Sequence, residues 1–198
     1  MNETLRTILV TEALPPPDLG TQEAQRRTAK HQEWVTAHVT RHHGEVLVRV
    51  GQGCVAALPG PAQALTAAEA LLTHPPRIEG TPVRIRAALH LGEVHPDRLA
   101  IAQPGVAQAR KLLEAAGANE ILLSRSVHEA LADANLQVTP LSGPGGDPVE
   151  VTGYRLLTNP LALATSPQRR PVSGWLIAGA ALLASAAILG ALMAALVL

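Results

Sequence analysis

The period of the apolar positions changes several times along the chain, and each change marks an element. Residues 5–11 (LRTILVT) form a short apolar, β-branched run that predicts a first strand. The Pro- and Gly-rich stretch 14–20 that follows is a loop that no helix can cross. Residues 22–43 contain no Gly or Pro and place Ala24, Thr28, Trp34 or Val35, and Ala37 or His38 near one face, which predicts an amphipathic helix closed by Gly44. The period then drops to two. Val46, Val48 and Val50 are predicted on one side of a strand, GQG at 51–53 turns the chain, and residues 54–58 return as a second strand. A second helix is predicted over 61–73, ended by Pro75 and Pro76, and Val83, Ile85, Ala87 and Leu89 alternate as a further strand. Beyond it the pattern predicts a short strand near 99–102, a helix over 106–116 and a strand over 120–123. A short helix capped by Ser124 or Ser126 and a closing hairpin over 136–157 around SGPGGDP complete the series.

The order βαββαβ predicts an α+β fold with a ferredoxin-like core carrying additional strands and helices. The last stretch is of another kind. From Trp175 to Leu198 the chain reads WLIAGAALLASAAILGALMAALVL, with Ser185 as the one polar side chain after Trp175. As a helix it spans about 36 Å, against about 30 Å of hydrocarbon, so a single transmembrane helix is predicted. Arg169 and Arg170 before the span and Trp175 at the interface orient it, with the domain cytoplasmic and Leu198 on the far side, a tail anchor in membrane lipid. Ala186, Gly190 and Ala194 have the small-xxx-small spacing that lets helices approach, which is weak evidence for pairing in so Ala-rich a segment. The expected organisation is a domain over 1–158, a linker over 159–173 and a transmembrane helix over 174–198.

Composition sharpens this division. Lys+Arg and Asp+Glu number 16 each, for a formal net charge of zero, and every one of these residues lies in the first 170. No basic field exists to draw the protein to nucleic acid. A lone Cys54 excludes an intramolecular disulfide framework, and with nothing like a signal peptide at 1–20 it points to a reducing compartment.

Several runs together resemble a known family. RHHGEVLVRVGQGCVAALPGPAQAL (41–65) is similar to the central hairpin of class III adenylate/guanylate cyclase catalytic domains, where a helix end, HGG, an apolar strand, GDG and a second apolar strand follow one another. LHLGEV (89–94) resembles the family's LHTGEV, GVAQARKLLEAAGANEILLS (105–124) its VNxAARLxxxAxPGxILVS, and PVEVTGYRL (148–156) its closing PVxVYxL strand. The resemblance runs from about residue 6 to 157, in order, and implies a nucleotide cyclase-like fold.

It also implies where a site would sit. In the family a 3′-hydroxyl attacks the α-phosphate with two metal ions held by two carboxylates of one subunit, while the other subunit supplies an Asn and an Arg. The first carboxylate position falls on Glu12 and the second on Gln52, a neutral amide. The Asn position falls on Ala107, and the Arg position on Lys111, with Arg110 adjacent if the register slips by one. The base-recognising Lys and Asp positions fall on Val48, with Arg49 adjacent, and on Ala100. The leading expectation is therefore a degenerate, membrane-tethered cyclase-homology domain that forms a homodimer, or a heterodimer with another cyclase-like chain, and makes no cyclic nucleotide. It would act by dimerising or by binding a partner or nucleotide, with no cofactor. The alternatives are an active cyclase using Mg or Mn through Glu12, Gln52 and Lys111, and a membrane scaffold sharing only the topology.

The remaining conspicuous residues have plainer readings. His38, His42 and His43 could offer a metal two imidazoles on one helical face, but no Cys or Asp sits beside them, which favours a solvated helix end. His90 and His95 read as a strand residue and its neighbour, His74 and His128 as surface, and Cys54 as a small core residue. The 51–53 loop lacks the GxxxxGK[ST] of a phosphate loop and is a hairpin turn.

Overall fold

The computed structural model describes residues 4–95, 99–141 and 153–157. Contacts divide the chain into units Met1–Thr158 and Asn159–Leu198, and all described residues belong to the first. The predicted linker, the predicted transmembrane helix, Trp175 and Gly190 lie outside the described residues. Among the described residues, no helix is long and apolar enough to cross a membrane.

The strands are β1 (Thr4–Leu14), β2 (Glu45–Val50), β3 (Gly53–Leu58), β4 (Arg77–Ile78), β5 (Thr81–Pro82), β6 (Arg84–Val94), β7 (Ile121–Ser124), β8 (Val138–Pro140) and β9 (Gly153–Leu156). The helices are α1 (Thr21–Arg41), α2 (Pro61–Thr73), α3 (Pro104–Glu114) and α4 (Arg125–Ala130). Pro61 and Pro104 open α2 and α3 at positions where no N–H is needed. Ser124 caps α4, its hydroxyl accepting from Val127 N. α1 ends at Arg41, and His43 takes the left-handed conformation (φ 59) where Gly44 was expected to close the helix.

Seven strands form one sheet in the order β2-β3-β1-β6-β7-β9-β8, and β4 and β5 make a separate small hairpin. The first four strands pair antiparallel with β1 and β6 in register over eleven residue pairs, which is the ferredoxin-like arrangement. β6 and β7 pair parallel. Helices cover both faces of the sheet, which explains why β1 is buried continuously from Thr7 to Thr11 rather than alternating. Leu9, Ala13, Ala56, Leu58, Ile85 and Leu89 pack beneath α1 and α2. Ile8, Val10, Val55, Ala57, Ala88 and Leu122 pack beneath α3.

Two local predictions fail. Residues 99–102 are no strand: Ala100–Ala102 is a turn of 3₁₀ helix, held by Ala102 N donating to Leu99 O at 3.0 Å and Gln103 N to Ala100 O at 3.2 Å. Four apolar residues fix no period, and here Leu99 is 80% exposed, so the run buries little. Buried Gln103 holds this segment to the end of β6, accepting from His95 N at 3.1 Å and donating to His95 O at 3.0 Å. Nor do Val46, Val48 and Val50 share one side. The register slips between Val46, opposite Ala56, and Val48, opposite Val55, so Val46 joins the α1/α2 core and Val48 the α3 core. An extra residue in the ladder re-aims every side chain beyond it.

Candidate functional site

The register of three strands brings the backbone at the first two expected site positions close together. Glu12, near the end of β1, stands opposite Gly53 in β3 and opposite Arg86 in β6. Gln52 occupies the β2–β3 turn, where its carbonyl accepts from Ala13 N at 3.0 Å. α1 holds the same turn from the other side, Gln32 Nε2 donating to Gly51 O at 3.3 Å and Arg49 Nη2 to Thr36 Oγ1 at 3.0 Å.

Odd residues of β1 face α1 and even ones face α3, so Glu12 looks toward α3. There it meets Arg86, which sequence reasoning did not single out. Arg86 Nε donates to Glu12 Oε2 at 2.9 Å, Nη2 donates to the same oxygen, and Nη1 donates to Ala116 O at 3.1 Å. The signal was an Arg in the middle of an apolar strand, RIRAALHL, but its partner lies 74 residues away and emerges only from strand pairing.

Around this pair lies an open cleft of about 180 Å³, lined among others by Glu12, Gly53, Arg86, Arg110, Leu113 and Glu114. On α3 it is Arg110 and Glu114 that line it. Lys111 and Ala107 are exposed on the same helix and are not among its lining residues. Val48 is half-buried in β2 against the α3 core, and Ala100 is half-buried in the 3₁₀ turn, where neither offers a polar side chain to a base.

On the opposite face of β1, Thr11 Oγ1 and His31 Nε2 share a buried hydrogen bond of 3.1 Å. Burial pushes the His31 imidazole down from its usual 6.5 to about 4. Cys54 stands opposite Thr11 in the β1–β3 ladder and is 1% exposed; burial pushes its thiol up to about 11, against the smaller pull of Arg49. His38 Nδ1 lies 3.0 Å from Trp34 O, and burial lowers its pKa. His90, opposite Ile8 in the sheet, is lowered by burial too. Among the described residues no three His, Cys, Asp or Glu gather into a cluster able to hold a metal.

No protein-family model and no curated protein matches the chain. Solved structures do. A dimeric guanylyl cyclase domain of the RhoGC fusion protein from Blastocladiella emersonii superposes with a TM-score of 0.64 at 16% identity, over 79% of this chain and 98% of that one. An adenylate/guanylate cyclase/hydrolase from Silicibacter pomeroyi gives 0.63 at 15% identity, over 78% and 97%. The adenylyl cyclase CyaB from P. aeruginosa gives 0.57 at 14%, over 79% and 96%. The described residues thus have the mixed α+β fold of adenylate/guanylate cyclase catalytic domains.

Proposed function

We propose that the chain is a membrane-tethered, non-catalytic cyclase-homology domain that acts in signalling by pairing with a second copy or another cyclase-like chain. The observation that carries the reading is the Arg86 guanidinium bound to Glu12, the only carboxylate left at the two expected metal-binding positions. A divalent pair does not fit this donor set. Glu12 Oε2 is already committed to a cation, and Gln52 offers at most a neutral amide oxygen, whereas Mg²⁺ sites depend on carboxylate charge and near-octahedral geometry. Ala107 has no donor for a transition-state phosphoryl oxygen, and one lost electrostatic stabiliser typically costs about 10²–10³ in rate.

Pairing has its own support. At about 180 Å³ the cleft of one chain is smaller than the roughly 300–1,000 Å³ of a small-molecule site, so a nucleotide would need walls from a partner. Leu5, Leu99 and Ile101 leave apolar surface exposed, which association would cover. The tether rests on the uncharged 24-residue sequence from Trp175 to Leu198.

The deciding experiment incubates the purified full chain, in detergent, with ATP or GTP and Mn²⁺. No cyclic nucleotide above the protein-free background is expected. Product that disappears in Glu12→Ala would establish the active-cyclase alternative instead.

A further inference from the structure

The Glu12 carboxylate of this cleft already has a cation, and the cation is part of the chain. Glu12 and Arg86 are direct neighbours across the β1–β6 ladder. Nε and Nη2 of Arg86 converge on one oxygen, Glu12 Oε2, while Nη1 reaches across to Ala116 O, two residues past the end of α3. The planar guanidinium is therefore held from both sides and cannot swing away without giving up three hydrogen bonds. The two side chains are only 21% and 31% exposed, so water screens the pair weakly.

We infer that the Arg86 guanidinium stands where a divalent cation would bind Glu12, and that it bars Mg²⁺ and Mn²⁺ from this cleft. The inference deepens the non-catalytic reading and rests on it. A metal approaching Glu12 must displace a threefold-anchored guanidinium and then tolerate its positive charge at close range, with a neutral amide in place of a carboxylate at position 52. Two obstacles thus stand in series, the missing charge at Gln52 and the resident charge at Arg86. Restoring the first alone leaves the second in place.

This ordering of repairs is testable without nucleotide. Mn²⁺ is titrated into the full chain in detergent and followed by loss of the free-ion electron paramagnetic resonance signal, with the thermal midpoint as a second readout. The unsubstituted chain and Gln52→Asp are expected to bind no Mn²⁺ below about 1 mM, the weak end of the affinity scale for carboxylate sites. Gln52→Asp/Arg86→Met is expected to bind one ion per chain at least about tenfold more tightly than Gln52→Asp. Adding Glu12→Gln to that pair should abolish the gain. If Gln52→Asp alone binds Mn²⁺ well below about 1 mM and loses it with Glu12→Gln, Arg86 is no barrier and the inference fails. It fails equally if the double variant is folded by circular dichroism yet binds no better than Gln52→Asp. Should the double variant not fold, the comparison of Gln52→Asp with Gln52→Asp/Glu12→Gln still decides. Cyclic nucleotide formation tests the broader reading, so the two can fail separately.

Discussion

Arg86 Nε lies 2.9 Å from Glu12 Oε2, joining residues 74 positions apart across two adjacent strands, and the same guanidinium ties both to the end of α3. This half-buried pair is a structural clamp as well as a feature of the cleft. Removing one partner strands the other: Arg86→Met leaves a carboxylate without its cation and the Ala116 carbonyl without its donor. Each of Glu12→Gln and Arg86→Met is expected to cost about 1–3 kcal/mol in urea unfolding. Because both delete one interaction, the double variant should cost less than the sum by roughly 0.5–3 kcal/mol. Strict additivity in that cycle would show the pair to be idle.

Much of this arrangement was legible in the sequence. α2 falls at 61–73 as expected because Pro61 and the Pro75–Pro76 pair punctuate it unambiguously. Glu12 and Gln52 were aligned to one site by motif alone; pairing of β1 with β3 sets the Gln52 backbone beside Ala13, while Gln52 is not among the residues lining the cleft that holds Glu12. What stayed hidden arises from register. The slip between Val46 and Val48 has no signature in EVLVRV, where Val recurs at every second position, and it turns Val48 to the other face. β4 and β5 are two residues each, too short for any periodicity. The strand pattern assigned nothing to Arg86, and only its position opposite Glu12 gives it a role.

The β2–β3 turn depends on the absence of a side chain at Gly53. A Cβ built there would lie 2.4 Å from the Thr11 carbonyl oxygen, a backbone atom that cannot retreat without prising β1 from β3. Gly53→Ala is therefore expected to destabilise by about 1–3 kcal/mol or more. Gly117→Ala serves as the control. Its Cβ would meet only the Glu120 side chain, at 3.3 Å, so a change within about 0.5 kcal/mol is expected there. Equal losses at the two sites would refute the close-approach argument.

Cys54 should behave as a core residue and not as a nucleophile. It is 1% exposed, and a thiol pushed up to about 11 is only about 0.1% thiolate at pH 8. Labelling of the native chain by a disulfide reagent is expected to run at least about 10²-fold slower than that of free cysteine, and to become fast in denaturing urea. Complete labelling within the mixing time of a native sample would mean that the β1–β3 region opens far more readily than its packing implies.

Acid should weaken the fold through His31. In the folded chain this imidazole is completely buried and takes a proton only near pH 4, while in the unfolded chain it does so near 6.5. As the pH falls through that window, the unfolded state gains a proton that the folded state refuses, so stability is full above about 6.5, declines toward 4 and levels below it. The 6.5-to-4 displacement corresponds to roughly 3 kcal/mol at most. His38 and His90, both lowered chiefly by burial, act in the same direction, while Glu69, raised by burial, acts oppositely at the acid end. His31→Gln isolates the contribution, since an amide can still bond Thr11 but does not titrate. Urea midpoints between pH 7 and 4.5 should fall more steeply for the unsubstituted chain than for His31→Gln. Parallel curves would mean that His31 is not held neutral by the core.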